Sequence, residues 1–303
     1  MSLARRYRPK TLEDLLGSRS TIQAVEGILQ RPAAKIPHAF LITGPSGTGK
    51  TTLARVIVKS LGISGGDFTE LDTADFRGID TVRQLRQQMQ YRGLEGARRG
   101  WLLDECHAMT REAQEALLKA LEEAPAHAFF ILATTDPDKL KPTLKRRCVQ
   151  FAMSPIREET MLKYLKGIAG QEDKKVPDEV LKQIALDSLG SPGVALAVLE
   201  KILDLPVDKM LKAARQATEQ QNEAIALARI LFKKPRWPEV AKLIKTIEGE
   251  PESLRRLILA YCTSVLLGND NPQAYVVMDA FKSPFFDDAK AKLVMACYEV
   301  VNA

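Results

Sequence analysis

The sequence predicts an α/β chain: a parallel sheet flanked by helices, followed by helices alone. Three observations carry this. Short apolar runs alternate with amphipathic stretches across residues 1–155, the pattern of βα units around a parallel sheet. One of those runs leads into the glycine-rich segment Gly44-Pro45-Ser46-Gly47-Thr48-Gly49-Lys50-Thr51, which continues as a helical pattern. After Pro155 only helical periodicity remains.

The elements follow in order. Ala39–Thr43 is an apolar run, as expected of a buried parallel strand. The segment after it reads G-x-x-x-x-G-K-[ST], the phosphate-binding P-loop. Its glycines let consecutive N–H groups turn inward around phosphate oxygens. Lys50 is placed to reach the β- and γ-phosphates, and the Thr51 hydroxyl to ligate Mg²⁺. Thr52 to Lys59 carries helical spacing, so a positive helix end faces the same phosphates. Further candidate strands are Phe68–Asp72, Gly100–Asp104 and Phe129–Thr134.

Two of these strands end in residues fit for chemistry. Trp101-Leu102-Leu103 closes on Asp104 and Glu105. Asp104 is placed to hold Mg²⁺, and Glu105 to polarise the attacking water as a general base. The run from Phe129 closes on Thr134-Thr135-Asp136-Pro137. Polar groups at the carboxyl end of a parallel strand face the ligand crevice. Thr134 or Thr135 is therefore a candidate partner of the γ-phosphate or the lytic water. Lys145-Arg146-Arg147-Cys148 is expected to follow a short helix as a basic turn, and an arginine there suits a neighbour's ATP. Arg77 and Arg83 flank a helix start at Asp80 and suit a sugar–phosphate backbone.

Beyond residue 155, stripes at Thr160–Ile168, Val180–Ala185 and Val194–Ile202 predict a small three-helix domain over 156–205. Leu205-Pro206 serves as a linker. Residues 206–303 are helical, punctuated by prolines and glycines.

The chain has 303 residues, 45% apolar, with 44 Lys and Arg against 38 Asp and Glu, a net charge of +6. This is an ordinary globular composition. The excess of positive charge permits nucleic-acid binding without establishing it. No apolar run suits a membrane span, and no hydrophobic leader opens the sequence, so a cytoplasmic protein is expected. Four separated cysteines (Cys106, Cys148, Cys262, Cys297) and three histidines argue against a zinc ribbon, a disulfide scaffold or a His-built metal site.

Taken together, the chain resembles the AAA+ ATPase subunits of sliding-clamp loaders: the bacterial γ/τ subunit and the replication factor C small subunits with their archaeal and phage counterparts. Arg6-Tyr7-Arg8-Pro9-Lys10-Thr11-Leu12-Glu13-Asp14 is similar to the family's opening segment, near the adenine. Asp75–Arg83 is similar to replication factor C. Asp104–Thr110 and Ala113–Glu123 are close to the bacterial form. The resemblance is dense from Arg5 to Phe151 and thins beyond it.

The resemblance implies an ATP-driven loader that opens a sliding clamp and places it on primer–template DNA. Its domains would be an ATPase domain (1–155), a lid (156–205) and a helical collar (206–303) that holds a five-subunit ring. Tyr7, Arg8, Pro9, Gly44 to Gly49, Lys50, Thr51 and Thr52 would bind ATP, with Thr51 and Asp104 on Mg²⁺. Glu105 would be the base. Thr135, or Thr134, would sense the γ-phosphate. Arg147 matches the arginine of the Ser-Arg-Cys motif that acts in trans, and Arg77 and Arg83 match residues facing the DNA backbone. Clamp contacts would fall around residues 76–95 and 110–125.

Three departures stand out. The serine of Ser-Arg-Cys is Arg146, so two adjacent arginines stand at that place. The γ/τ zinc-binding cysteines are absent, which favours a phage or replication-factor-C-like subunit. The lid's Gly-Ser-x-Arg is Gly190-Ser191-Pro192-Gly193, so its arginine position holds Gly193. That pattern matches the non-hydrolysing bacterial δ′ subunit and makes a scaffold role the first alternative. Another AAA+ DNA motor, such as a branch-migration helicase, is the second.

Overall fold

A computed structural model describes residues 2–303, apart from Ser64, Ala74, Phe76, Arg77, Glu95, Asn269, Phe286, Asp287 and the side chains of Gln220 and Gln221. The chain divides into two compact units, residues 5–156 and residues 157–303, the latter joined by residues 1–4. A short helix α1 (Leu3–Arg6) opens the chain.

In the first unit, the described residues form one sheet of five parallel strands in the order β2-β3-β4-β1-β5. These are β1 (Ala39–Thr43), β2 (Phe68–Asp72), β3 (Arg99–Asp104), β4 (Ala128–Thr134) and β5 (Val149–Ala152). Helices α2 (Arg19–Leu29), α3 (Lys50–Ser60), α4 (Ile79–Gln88), α5 (Arg111–Glu122) and α6 (Pro142–Arg147) complete the unit. The central strands β1, β3 and β4 are apolar on both faces because both are covered. Leu41, Trp101, Leu103, Phe130 and Leu132 pack with Val82, Leu85 and Leu117 of α4 and α5. Phe40, Ile42, Leu102, Phe129 and Ile131 pack with Val25, Leu53 and Ile57 of α2 and α3. Trp101, fully buried, stacks on Phe130 with ring centroids 5.1 Å apart.

The sequence pattern misses β5. It is a four-residue edge strand, and its order comes from pairing with β1, 109 residues away at Phe40↔Val149. Lys145, Arg146 and Arg147 form the last turn of α6 rather than a turn after it. Three basic groups there complement the negative helix end.

The second unit contains α7 (Glu158–Gln171), α8 (Asp178–Asp187), α9 (Pro192–Ile202), α10 (Val207–Gln221), α11 (Glu223–Phe232), α12 (Trp237–Thr246), α13 (Pro251–Gly268), α14 (Pro272–Ala280) and α15 (Ala289–Asn302). Ser191, Asn222 and Asn271 cap α9, α11 and α14 through their side chains. Ala228, Leu231, Ile258, Val277, Phe281 and Cys297 anchor its apolar core. Burial pushes the thiols of Cys148, Cys262 and Cys297 up to about 12 and raises that of Cys106 as well, which makes all four inert. Among the described residues, no helix is long and apolar enough to cross a membrane.

Candidate nucleotide-binding site

Strand register builds the site. Thr43 of β1 pairs with Thr134 of β4, and Leu103 of β3 with Leu132 of β4. The glycine loop, the Asp104-Glu105 pair and the Thr134-Thr135 pair therefore meet at the carboxyl edge of three adjacent strands. That edge is where open parallel sheets bind ligands.

The loop backbone requires its glycines. Gly44 has φ of 148°, and a Cβ there would lie 2.3 Å from the Met153 carbonyl oxygen. Gly49, at φ of 94°, turns the chain into α3. Thr48 Oγ1 donates to the Pro45 carbonyl at 2.8 Å, and Lys50 Nζ donates to the same oxygen at 3.1 Å. Lys50 is only 5% exposed. Burial lowers its pKa, and the Glu105 and Asp104 carboxylates act against that. Pro45, Ser46 and Gly47 are exposed at the loop tip, and Thr52 is half-buried in the first turn of α3.

Thr51 Oγ1 donates to Asp104 Oδ2 at 2.7 Å. Two hard oxygen donors at this separation fit Mg²⁺, which takes few protein ligands and completes its shell with water and phosphate oxygens. Thr51 and Asp104 would hold the ion, which would neutralise charge on the phosphates. Among the described residues there is no cluster of three His, Cys, Asp or Glu that suggests another metal.

Glu105 sits at φ of 48°. Its N–H donates to Asp104 Oδ1 at 3.0 Å, and its carbonyl accepts from Thr73 Oγ1 at 2.7 Å. Glu105 Oε2 accepts from Thr135 Oγ1 at 3.0 Å and from the Thr135 N–H at 3.3 Å. Thr134 is fully buried, and its hydroxyl accepts from the Asp136 N–H at 3.0 Å. Of the two threonines, Thr135 is the one that touches the acid. His107, which the sequence pattern did not single out, lies with Nδ1 3.3 Å from Glu105 Oε2 and 3.1 Å from Thr134 Oγ1. Its position two residues after Glu105 was the available signal.

The other candidates stand on other segments of the chain. Tyr7 is half-buried with the Arg6 guanidinium 5.5 Å above its ring; Arg8 is exposed and Pro9 half-buried. Arg147 ends α6 and pairs with Glu122 of α5 at 2.8 Å. Arg146, also exposed, has no ion pair among the described residues. Arg83 is exposed and pairs with Asp80 at 2.9 Å. Arg77 lies outside the described residues. Gly193 is in the first turn of α9, where a Cβ would meet only Ser191 Oγ at 4.0 Å.

Comparison with known proteins fits this geometry. A family model described as DNA polymerase III, delta subunit, matches residues 67–157, and one described as the Rad17 P-loop domain matches residues 3–94. The DNA polymerase III subunit gamma of Buchnera aphidicola subsp. Acyrthosiphon pisum is 34% identical over 224 residues, covering 67% of this chain and 62% of that protein. The gamma/tau subunit of Mycobacterium tuberculosis H37Rv is 33% identical over 226 residues, 67% of this chain and 39% of that one. The tau subunit of Escherichia coli K12 is 31% identical over 249 residues, 74% of this chain and 38% of that one. The chain thus spans less than two thirds of the length of these relatives. Among solved structures, the Thermotoga maritima RuvB Holliday junction branch migration motor aligns with a TM-score of 0.63 over 88% of this chain and 94% of that one. At 18% identity, that is a likeness of fold.

Proposed function

We propose, from the premise that this chain is a P-loop AAA+ ATPase related to the bacterial DNA polymerase III gamma subunits, that it is a catalytic subunit of a sliding-clamp loader. It binds and hydrolyses ATP within a ring of subunits, and the cycle opens a clamp and places it on primer–template DNA. The observation that carries this is the assembled site: Thr51 on Asp104 at 2.7 Å, and Glu105 gripped by Thr135 at 3.0 Å, at the strand edge beside the glycine loop.

Each residue has a role in this reading. The loop N–H groups and the α3 end cradle the phosphates. Lys50 places its charge on the β- and γ-phosphates, and Thr51 and Asp104 hold Mg²⁺. Glu105 takes a proton from water as its oxygen attacks the γ-phosphorus and the bond to the ADP oxygen breaks. Thr135 senses the γ-phosphate while it grips Glu105. Tyr7, Arg8 and Pro9 flank the adenine. Arg147 acts on the neighbouring subunit's ATP, and Arg77 and Arg83 face the DNA backbone. Residues 156–205 act as the lid and 206–303 as the collar of a five-membered ring. The segments 76–95 and 110–125 meet the clamp. The setting is the cytoplasm.

One observation favours a second reading. Gly193 offers no side chain where the family's lid carries arginine, which suits a scaffold subunit that binds ATP without turnover. The test is ATP binding and steady-state hydrolysis by the wild type and Lys50→Ala. The first reading expects turnover that Lys50→Ala abolishes. Binding without turnover selects the scaffold, and turnover that survives Lys50→Ala overturns the site.

A further inference from the structure

We propose that the Thr135 hydroxyl is an exchangeable donor, held by Glu105 or by the γ-phosphate but never by both, so that a bound triphosphate loosens the general base. This rests on the reading of Thr135 as the γ-phosphate sensor and deepens it.

The argument is one of donors and acceptors. Thr135 brings two donors to the site, its N–H and its single hydroxyl proton. Both go to one atom: Glu105 Oε2 accepts from Thr135 Oγ1 at 3.0 Å and from the Thr135 N–H at 3.3 Å. An ionised carboxylate only accepts hydrogen bonds, and the oxygens of an ionised γ-phosphate do the same. One hydroxyl proton cannot serve both. Thr135 therefore reaches a γ-phosphate oxygen by turning its hydroxyl away from Glu105, while its N–H keeps the carboxylate in place. The proton stays on Oγ1 throughout, and no covalent bond changes.

The surroundings confine the exchange to this hydroxyl. Thr134 is fully buried, and its Oγ1 accepts from the Asp136 N–H at 3.0 Å and lies 3.1 Å from His107 Nδ1. The backbone of Glu105 is fixed at both ends, by Asp104 Oδ1 and by Thr73 Oγ1. A positive φ of 48° in a glutamate persists only where surroundings over-determine it. Glu105 therefore does not follow the hydroxyl. Its Oε2 loses a charge-assisted bond and regains a lone pair for the proton of the attacking water. The base is freed where a γ-phosphate is bound and stays held where the nucleotide is a diphosphate.

An exchanged contact has a binding signature that a fixed one lacks. Thr135→Val keeps the shape and the N–H and removes the hydroxyl. It deletes the bond to Glu105 on one side of the equilibrium and the bond to the γ-phosphate on the other, so the losses offset. Triphosphate affinity should change less than about threefold. With Glu105 truncated, nothing competes for the hydroxyl, and the same substitution should weaken triphosphate binding about tenfold to a hundredfold. The experiment is calorimetric binding of β,γ-imido-ATP and of ADP, each with Mg²⁺, to the full chain as wild type, Thr135→Val, Glu105→Ala and the double variant. Glu105→Asn is a second background, because asparagine tolerates the left-handed φ at this position. The proposal expects the loss in the Glu105 backgrounds alone, and for the triphosphate alone. A loss of tenfold or more in the wild-type background as well overturns the exchange and leaves the sensor reading standing. No loss in any background overturns the sensor reading, and the proposal with it.

Discussion

Replacing Arg229 with alanine strips a buried carboxylate of its counter-charge. Asp187 ends α8 and is 1% exposed; Arg229 of α11 has a side chain 11% exposed. The guanidinium Nη2 donates to Asp187 Oδ2, Nε donates to Tyr261 Oη at 3.1 Å, and Nη1 donates to the Arg215 carbonyl at 3.0 Å and to Glu219 at 3.2 Å. Burial works against the charged guanidinium, but Asp187 and Tyr261 outweigh it and hold Arg229 charged. Without it, among the described residues Asp187 keeps Gln183 at 3.0 Å and Tyr261 at 3.4 Å, two neutral donors. Orphaning one member of such a pair costs about 3–5 kcal/mol. For a unit of this size, roughly 3 °C per kcal/mol puts the midpoint on the order of 10 °C lower. Calorimetry of the second unit's transition reads this directly. Arg229→Leu with Asp187→Leu should recover most of the loss, because apolar packing replaces a buried pair at little cost. The network also anchors the turn at Leu189 and Gly190, both at positive φ, from which α9 and Gly193 depart. A midpoint within about 2 °C of wild type in Arg229→Ala, or a double variant no better than the single, refutes this account of the network.

Three further outcomes are expected of the protein. Glu252, hydrogen-bonded by Arg255, then by the Phe285 N–H and Arg256 against its burial, has its pKa drawn down from 4.5 to about 2. A depressed folded-state pKa stabilises fully above 4.5 and loses that contribution as pH falls toward 2, so Glu252→Gln should be less stable at pH 7 and flatter in acid, a difference on the order of 3 kcal/mol readable from urea midpoints at stepped pH. Gly193→Arg should fold normally, since its Cβ meets only Ser191 Oγ at an ordinary contact distance of 4.0 Å, and should tighten ATP binding severalfold if the lid reading holds; an unchanged Kd would deny this segment a nucleotide contact. Arg83→Ala should leave stability within about 0.5 kcal/mol and reduce the salt slope of DNA binding by about one, alike for all sequences; altered sequence preference would mean base contact instead.

β1 and β2 have the bounds the sequence predicts, β1 because an apolar run and the glycine turn after it are both local signals. β3 and β4 each begin one residue earlier, at Arg99 and Ala128. The helix after the glycine loop includes Lys50 and Thr51 themselves, since Gly49 already makes the turn. The β5 edge, the Arg147–Glu122 pair and the Asp187–Arg229 network depend on partners 109, 25 and 42 residues away, and no local pattern encodes them. Within the site, the acids and the loop were legible as motifs. The grip of Thr135 on Glu105 was not, because it arises from strand register and one positive φ.

The most direct test of the account is steady-state ATP hydrolysis by this chain with its loader partners, with and without sliding clamp and primer–template DNA, beside Glu105→Gln and Arg147→Ala. The account predicts turnover that clamp and primed DNA stimulate together, lost in both variants. Turnover indifferent to the clamp, or none at all with nucleotide still bound, would contradict it.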